Sequence, residues 1–79
     1  MNRAELINTV NDFLVEEFEI EEDLLTPEAT WKDIGIDSLD FVDIVVVVEN
    51  VFNIKIKGEE MGDVKTLDQF YTFLQNRLN

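Results

Sequence analysis

From Leu6 to Phe18 the apolar residues Leu6, Ile7, Val10, Phe13, Leu14 and Phe18 recur at three- and four-residue spacing, while Asn8, Asn11, Asp12, Glu16 and Glu17 fill the other side. That period predicts an amphipathic helix. From Glu19 to Asp37 the period lapses, and Thr26-Pro27 and Gly35 punctuate the stretch. A long ordered loop is expected there, with Ile20, Leu24, Leu25, Trp31 and Ile34 as its anchors. The run Ile44-Val45-Val46-Val47-Val48 is ambiguous by itself, because β-branched residues are poor helix formers and a short apolar run also suits a buried strand. The spacing of Leu39, Val42, Val45 or Val46, Val48 or Glu49, and Phe52, with no clear partner strands, favours a helix from Ser38 to about Phe52. Consecutive valines cover most of a helix circumference, so one or two of them must face solvent or a partner. Asn53 is a plausible stop, and Ile54-Lys55-Ile56-Lys57 alternates like a short extended piece. Glu59 to Asp63 has the length of one helical turn, and Thr66 is placed to cap a last helix carrying Leu67, Phe70, Tyr71, Phe73, Leu74 and Leu78.

These elements add up to an all-α fold, a small four-helix bundle of three main helices and one short one with a long first loop, in a single domain over residues 1–79. Ile44, Val48, Phe52, Leu67, Phe70 and Phe73 are the candidate core. A chain this short has a thin stability margin, and with no cysteine it has neither disulfides nor thiolate metal ligands to widen it. Helix packing must carry the fold.

Charge narrows the function. Eighteen acidic against six basic residues give a net charge of −12. Nucleic-acid binding needs clustered lysine and arginine, so it is excluded as a reading. A protein partner with a basic surface is the natural complement, and salt or divalent cations should stabilise the fold by screening its self-repulsion. The N-terminus lacks the apolar core of a signal peptide, and no apolar stretch approaches the roughly 20 residues of a membrane span, so a cytoplasmic protein is expected.

With no histidine and no cysteine, serine–histidine triads, cysteine nucleophiles and histidine metal sites are absent. Asp40 and Asp43 are neighbours on a helix, an arrangement that in so acidic a chain reads as a solvated face rather than a general acid and base. A calcium loop over Asp33 to Ile44 fails because it ends in isoleucine where a bidentate glutamate is required. No catalytic residue and no metal site is expected. The informative segment is Asp37-Ser38-Leu39-Asp40 after Gly35-Ile36. Asp37 has the side chain of an N-cap, Asp40 gives an acidic form of the capping box, and Gly35 permits a tight approach turn. Ser38 is then the first helical residue. A phosphate ester on its hydroxyl would sit beside unpaired N–H donors at the positive end of the helix dipole.

Gly35-Ile36-Asp37-Ser38-Leu39 resembles the attachment motif of acyl carrier proteins, and the helix order, length and acidity extend the likeness over essentially the whole chain. The resemblance implies 4'-phosphopantetheine from coenzyme A, placed on Ser38 by a phosphopantetheinyl transferase, with Asp37 and Leu39 completing the motif. It implies that acyl groups ride as thioesters on that arm, in fatty-acid or related lipid synthesis, and that the protein is a monomeric carrier, not an enzyme. Leu39, Val42, Asp43, Val46, Glu49 and Ile56 would lie on or near a surface facing acyl-loading and acyl-processing enzymes, apolar residues seating against the partner and carboxylates pairing with its basic rim. Asn50 and Val51 stand where housekeeping fatty-acid carriers are typically acidic, and Lys55 and Lys57 add positive charge. Trp31 lies about one residue from the usual aromatic position. These departures keep open a specialised carrier for a polyketide, aminoacyl or other dedicated pathway. An unmodified acidic helical adaptor is the reading from another class.

Overall fold

The computed structural model describes residues 1–78. Three α-helices form the body: α1 over Arg3–Phe18, α2 over Ser38–Phe52 and α3 over Leu67–Leu78. A 3-10 turn at Glu22–Leu24 lies in the first loop, and a second at Gly58–Met61 lies between α2 and α3. The all-α architecture expected of the sequence is therefore present, with its short helix as 3-10 rather than α and a further 3-10 turn in the long loop. Helix propensity did not decide α2. Its Asp37 cap fixes the first turn, and burial of Ile44 and Val48, both fully inaccessible, outweighs the poor propensity of the valines.

The first two helices, α1 and α2, end where the backbone turns left-handed. Glu19 closes α1 at φ 56° and Asn53 closes α2 at φ 55°, its N–H donating to the carbonyl of Glu49. Asn53 is thus the stop its position suggested. The core draws on all three helices: Leu6, Val10 and Leu14 from α1, Ile44 and Val48 from α2, and Leu67, Phe70 and Leu74 from α3 are all essentially inaccessible. Phe52 and Phe73 are half-buried at its edge. Arg3 clamps α1 to α3 through Asp68 (2.8 Å), Gln75 (2.9 Å) and Thr72 (3.3 Å), and the Tyr71 hydroxyl donates to Asn11 Oδ1 at 2.6 Å. Burial pushes the Tyr71 phenol above its ordinary pKa.

The first loop packs as a strut. Ile20, Ala29, Ile34 and Ile36 point inward, Leu25 and Trp31 are half-buried, and Leu24 departs from its expected anchoring role at 43% exposure because its short 3-10 turn holds it on the outer side. The loop is sewn to the start of α3 by an isolated antiparallel bridge between Thr30 and Thr66, and by Leu67 N–H to Ala29 O and Asp68 N–H to Pro27 O, both 3.0 Å. Ile54 to Lys57 forms no strand. Its alternation is nonetheless one of burial, with Ile56 inside and Lys55 and Lys57 outside.

Candidate functional site: the start of α2

The approach to Ser38 is built by a single helical turn with both ends fixed. Thr30 N–H donates to Asp33 Oδ2 (3.0 Å) and Asp33 N–H donates to Thr30 Oγ1 (3.2 Å), a reciprocal box that opens the turn. The Thr30 backbone N–H, with its hydroxyl, holds the Asp33 carboxyl below its ordinary pKa. Gly35 closes the turn at φ 82°, a left-handed position that favours glycine. Its N–H donates to Lys32 O (3.0 Å) while Ile36 N–H reaches back to Trp31 O (2.8 Å), the paired bonds of a Schellman motif.

Asp37 then caps α2, its Oδ1 accepting the Asp40 N–H at 2.9 Å. Only this half of the expected box is formed, since the Asp40 side chain is a methylene shorter than the glutamate that usually reaches back. Ser38 is the first helical residue and is exposed. Among the described residues, the N–H groups of Ser38 and Leu39 have no hydrogen-bond partner, which leaves two donors and the positive end of the helix dipole beside the hydroxyl.

Along α2 from this point runs an apolar stripe: Leu39 is 77% exposed, Val42 59% and Val46 49%. At about 100° per residue, Ser38 and Glu49 fall on one flank of the stripe and Asp40 and Asp43 on the other. Asp43 is exposed. Glu49 is half-buried, because its Oε2 accepts the Ile56 N–H at 2.9 Å and turns the following segment inward. Ile56 consequently lies beneath this surface rather than on it, at 8% exposure.

Two grooves border the start of α2. One, of about 270 Å³, is lined by Ser38 and Asp37 together with Trp31, Ile36, Phe41, Met61 and Val64. Trp31 Nε1–H donates to Val64 O at 3.2 Å, and its indole meets Phe41 and Phe70 edge-on, each at 5.1 Å between centroids. The other, of about 620 Å³, has an apolar floor that includes Ile20, Ile34 and Ile36 under the carboxylates of Glu17, Glu19, Glu21, Asp40 and Asp43. No group of three or more potential ligands among the described residues is arranged to hold a metal ion. No helix among the described residues is long and apolar enough to cross a membrane.

Sequence reasoning missed the Thr30-x-x-Asp33 box, although that pattern was readable in the chain. It also missed the seat of Trp31 against Val64 and the part of Glu49 in holding Ile56. Those pairings join residues distant in sequence and leave no local signature.

The site is thus an exposed serine hydroxyl at the open end of an apolar-faced helix, in a small helical domain that resembles a carrier. Comparison with known proteins agrees. The family model described as the phosphopantetheine attachment site matches residues 5–74. An acyl carrier protein of Petrotoga mobilis is 31% identical over all of this chain and 94% of its own length, and one of Thermosynechococcus vestitus is 28% identical over 99% and 98%. Acyl carrier protein AcpXL of Brucella melitensis is 43% identical over 85% of this chain and 77% of its own. The crystal structure of an acyl carrier protein from Thermotoga maritima superposes with a TM-score of 0.85 at 26% identity, covering 99% of this chain and 92% of that one. The chain belongs to the acyl carrier protein family, and phosphopantetheine is the cofactor of its domain.

Proposed function

We propose that Ser38 is the attachment residue and that the protein carries acyl intermediates as thioesters in fatty-acid or related lipid synthesis. The observation that carries this reading is the exposed Ser38 hydroxyl beside the unpaired N–H groups that open α2. Transfer from coenzyme A forms a phosphodiester at Ser38 Oγ, the hydroxyl proton leaves to a base on the transferase, and the adenosine bisphosphate half of coenzyme A departs. The thiol at the end of the arm then supplies the nucleophile that the chain lacks. Asp37 fixes the turn from which Oγ projects, and Leu39 stands next to it on the outward face.

Partner enzymes read the stripe of Leu39, Val42 and Val46, flanked by Asp43 and Glu49, with basic residues of their own. Glu49 has a double duty, since the same carboxylate holds the Ile56 backbone. The protein works as a monomer in the cytoplasm and has no catalytic residue. A second reading within the same class, a carrier for a polyketide, aminoacyl or other dedicated pathway, is favoured by the uncharged Asn50 and the 48% exposed Val51, with Lys55 and Lys57 exposed just beyond.

The test is an intact-mass comparison of wild type and Ser38→Ala after incubation with coenzyme A and a broad-specificity phosphopantetheinyl transferase. A gain of one phosphopantetheine in the wild type alone is expected. No gain in a folded wild type would overturn the reading and favour an unmodified adaptor.

A further inference from the structure

Two grooves of opposite character border the start of α2, and Ser38 lines only the smaller of them. The larger groove presents Glu17, Glu19, Glu21, Asp40 and Asp43 at its rim, so the anionic phosphodiester and whatever follows it meet like charge on that side. On the other side Ser38 itself forms part of the wall of the smaller groove, whose remaining lining is Trp31, Ile36, Phe41, Met61 and Val64 apart from Asp37. The Asp37 carboxylate, which accepts the Asp40 N–H, is the single acidic group lining this groove, against five on the other side.

The chemistry of the arm matches this second groove. A few bonds beyond Oγ, after the phosphate and one methylene, comes a carbon bearing two methyl groups, the most apolar unit of the pantetheine chain. We infer that these methyl groups seat against the Trp31 indole in the smaller groove, so that the arm leaves Ser38 toward Met61 and Val64 and away from the acidic groove. Trp31 is then a positioning residue. Its indole is held from behind by the Nε1–H bond to Val64 O and by edge contacts with Phe41 and Phe70, so it offers a fixed wall rather than a mobile side chain. This inference rests on Ser38 being the attachment residue, and it goes further by assigning the arm a resting place.

Trp31 is the single tryptophan of the chain, so the indole reports on itself. The experiment compares apo protein with holo protein, the latter verified by intact mass. Acrylamide quenching of Trp31 is measured for both, and nuclear Overhauser contacts from the two arm methyls are sought in the holo protein. Expected are a quenching constant about twofold lower in the holo form, as for a wall covered by its ligand, and contacts from the methyls to indole ring protons. A gain in mass with unchanged quenching and no indole contacts, or with methyl contacts to Ile20 or Leu24, would overturn the inference while leaving the carrier reading intact. Absence of the mass gain would overturn both. Because the readout uses the wild-type chain, no variant needs to fold for the result to count.

Discussion

The N-termini of α2 and α3 solve the same problem in opposite ways. At α3 every early donor is consumed: Leu67 and Asp68 give their N–H groups to loop carbonyls, Gln69 N–H goes to Thr66 Oγ1 (3.2 Å), and Gln69 Oε1 returns to the N–H groups of Lys65 (2.7 Å) and Thr66 (3.2 Å). At α2 only Asp40 N–H finds a side-chain partner, and the donors of Ser38 and Leu39 stay open. The start of α3 is closed on itself, whereas the start of α2 is left with two donors to spare.

The comparison is broken most severely at the closed end. Leu67→Ala removes a side chain that is 1% exposed, and a loss of about 2–5 kcal/mol is expected in denaturant unfolding. Such a loss is a large part of the stability of so small a domain. Thr66→Ala opens the box at α3 and should cost about 1 kcal/mol by the same measurement, with modification of Ser38 unaffected. Asp37→Ala should cost a similar amount, about 1 kcal/mol, but it loosens the turn that presents Ser38. Its distinguishing effect is slower phosphopantetheine incorporation, followed by mass. Equal modification rates for Thr66→Ala and Asp37→Ala would remove the functional difference between the two ends. Leu39→Ala, at a position 77% exposed, should change stability by less than about 0.5 kcal/mol while weakening turnover with partner enzymes.

Acid acts on both loops that border the site. Asp33 is held below its ordinary pKa by the Thr30 N–H and hydroxyl, and Glu60 by the Lys57 N–H and then by Arg77. For carboxyls lowered in the folded state, the stabilising contribution is present above the unfolded pKa and is lost as pH falls through the folded one. Below the ordinary carboxylate range, Asp33→Asn should therefore unfold with a shallower dependence on pH than the wild type. Tyr71 has the opposite sign: its phenol is raised, so its contribution is present below pH 10 and is lost at more alkaline pH. Raising ionic strength from about 0.01 M to about 0.15 M shortens the screening length from about 30 Å to about 8 Å. With a net charge of −12, the melting temperature should rise by a few degrees over that range.

How much could be read from the chain follows from how local each feature is. Whereas the outward place of Val46 came only from the resemblance, the bounds of α2, the stop at Asn53 and the Thr66 cap all follow from residues within a turn or two of one another. The Asp37 cap and the placement of Ser38 were legible for the same reason. Leu24 was misplaced because hydrophobicity alone does not say which side of an irregular turn faces inward. Ile56 was placed on or near the partner-facing surface by resemblance, and its burial goes with a bond to Glu49 seven residues earlier. The larger groove joins the end of α1, the first loop and α2, so no window of sequence contains it.

The seam between the first loop and α3 has a kinetic side. Helical chains ordinarily fold fast because their contacts are local. Here the carbonyls of Pro27 and Ala29, and the Trp31 indole, wait for partners at Asp68, Leu67 and Val64, more than 30 residues further along the chain. The first loop is thus pinned to the helices only when α3 docks, and the entropy of closing that long loop falls on that folding step.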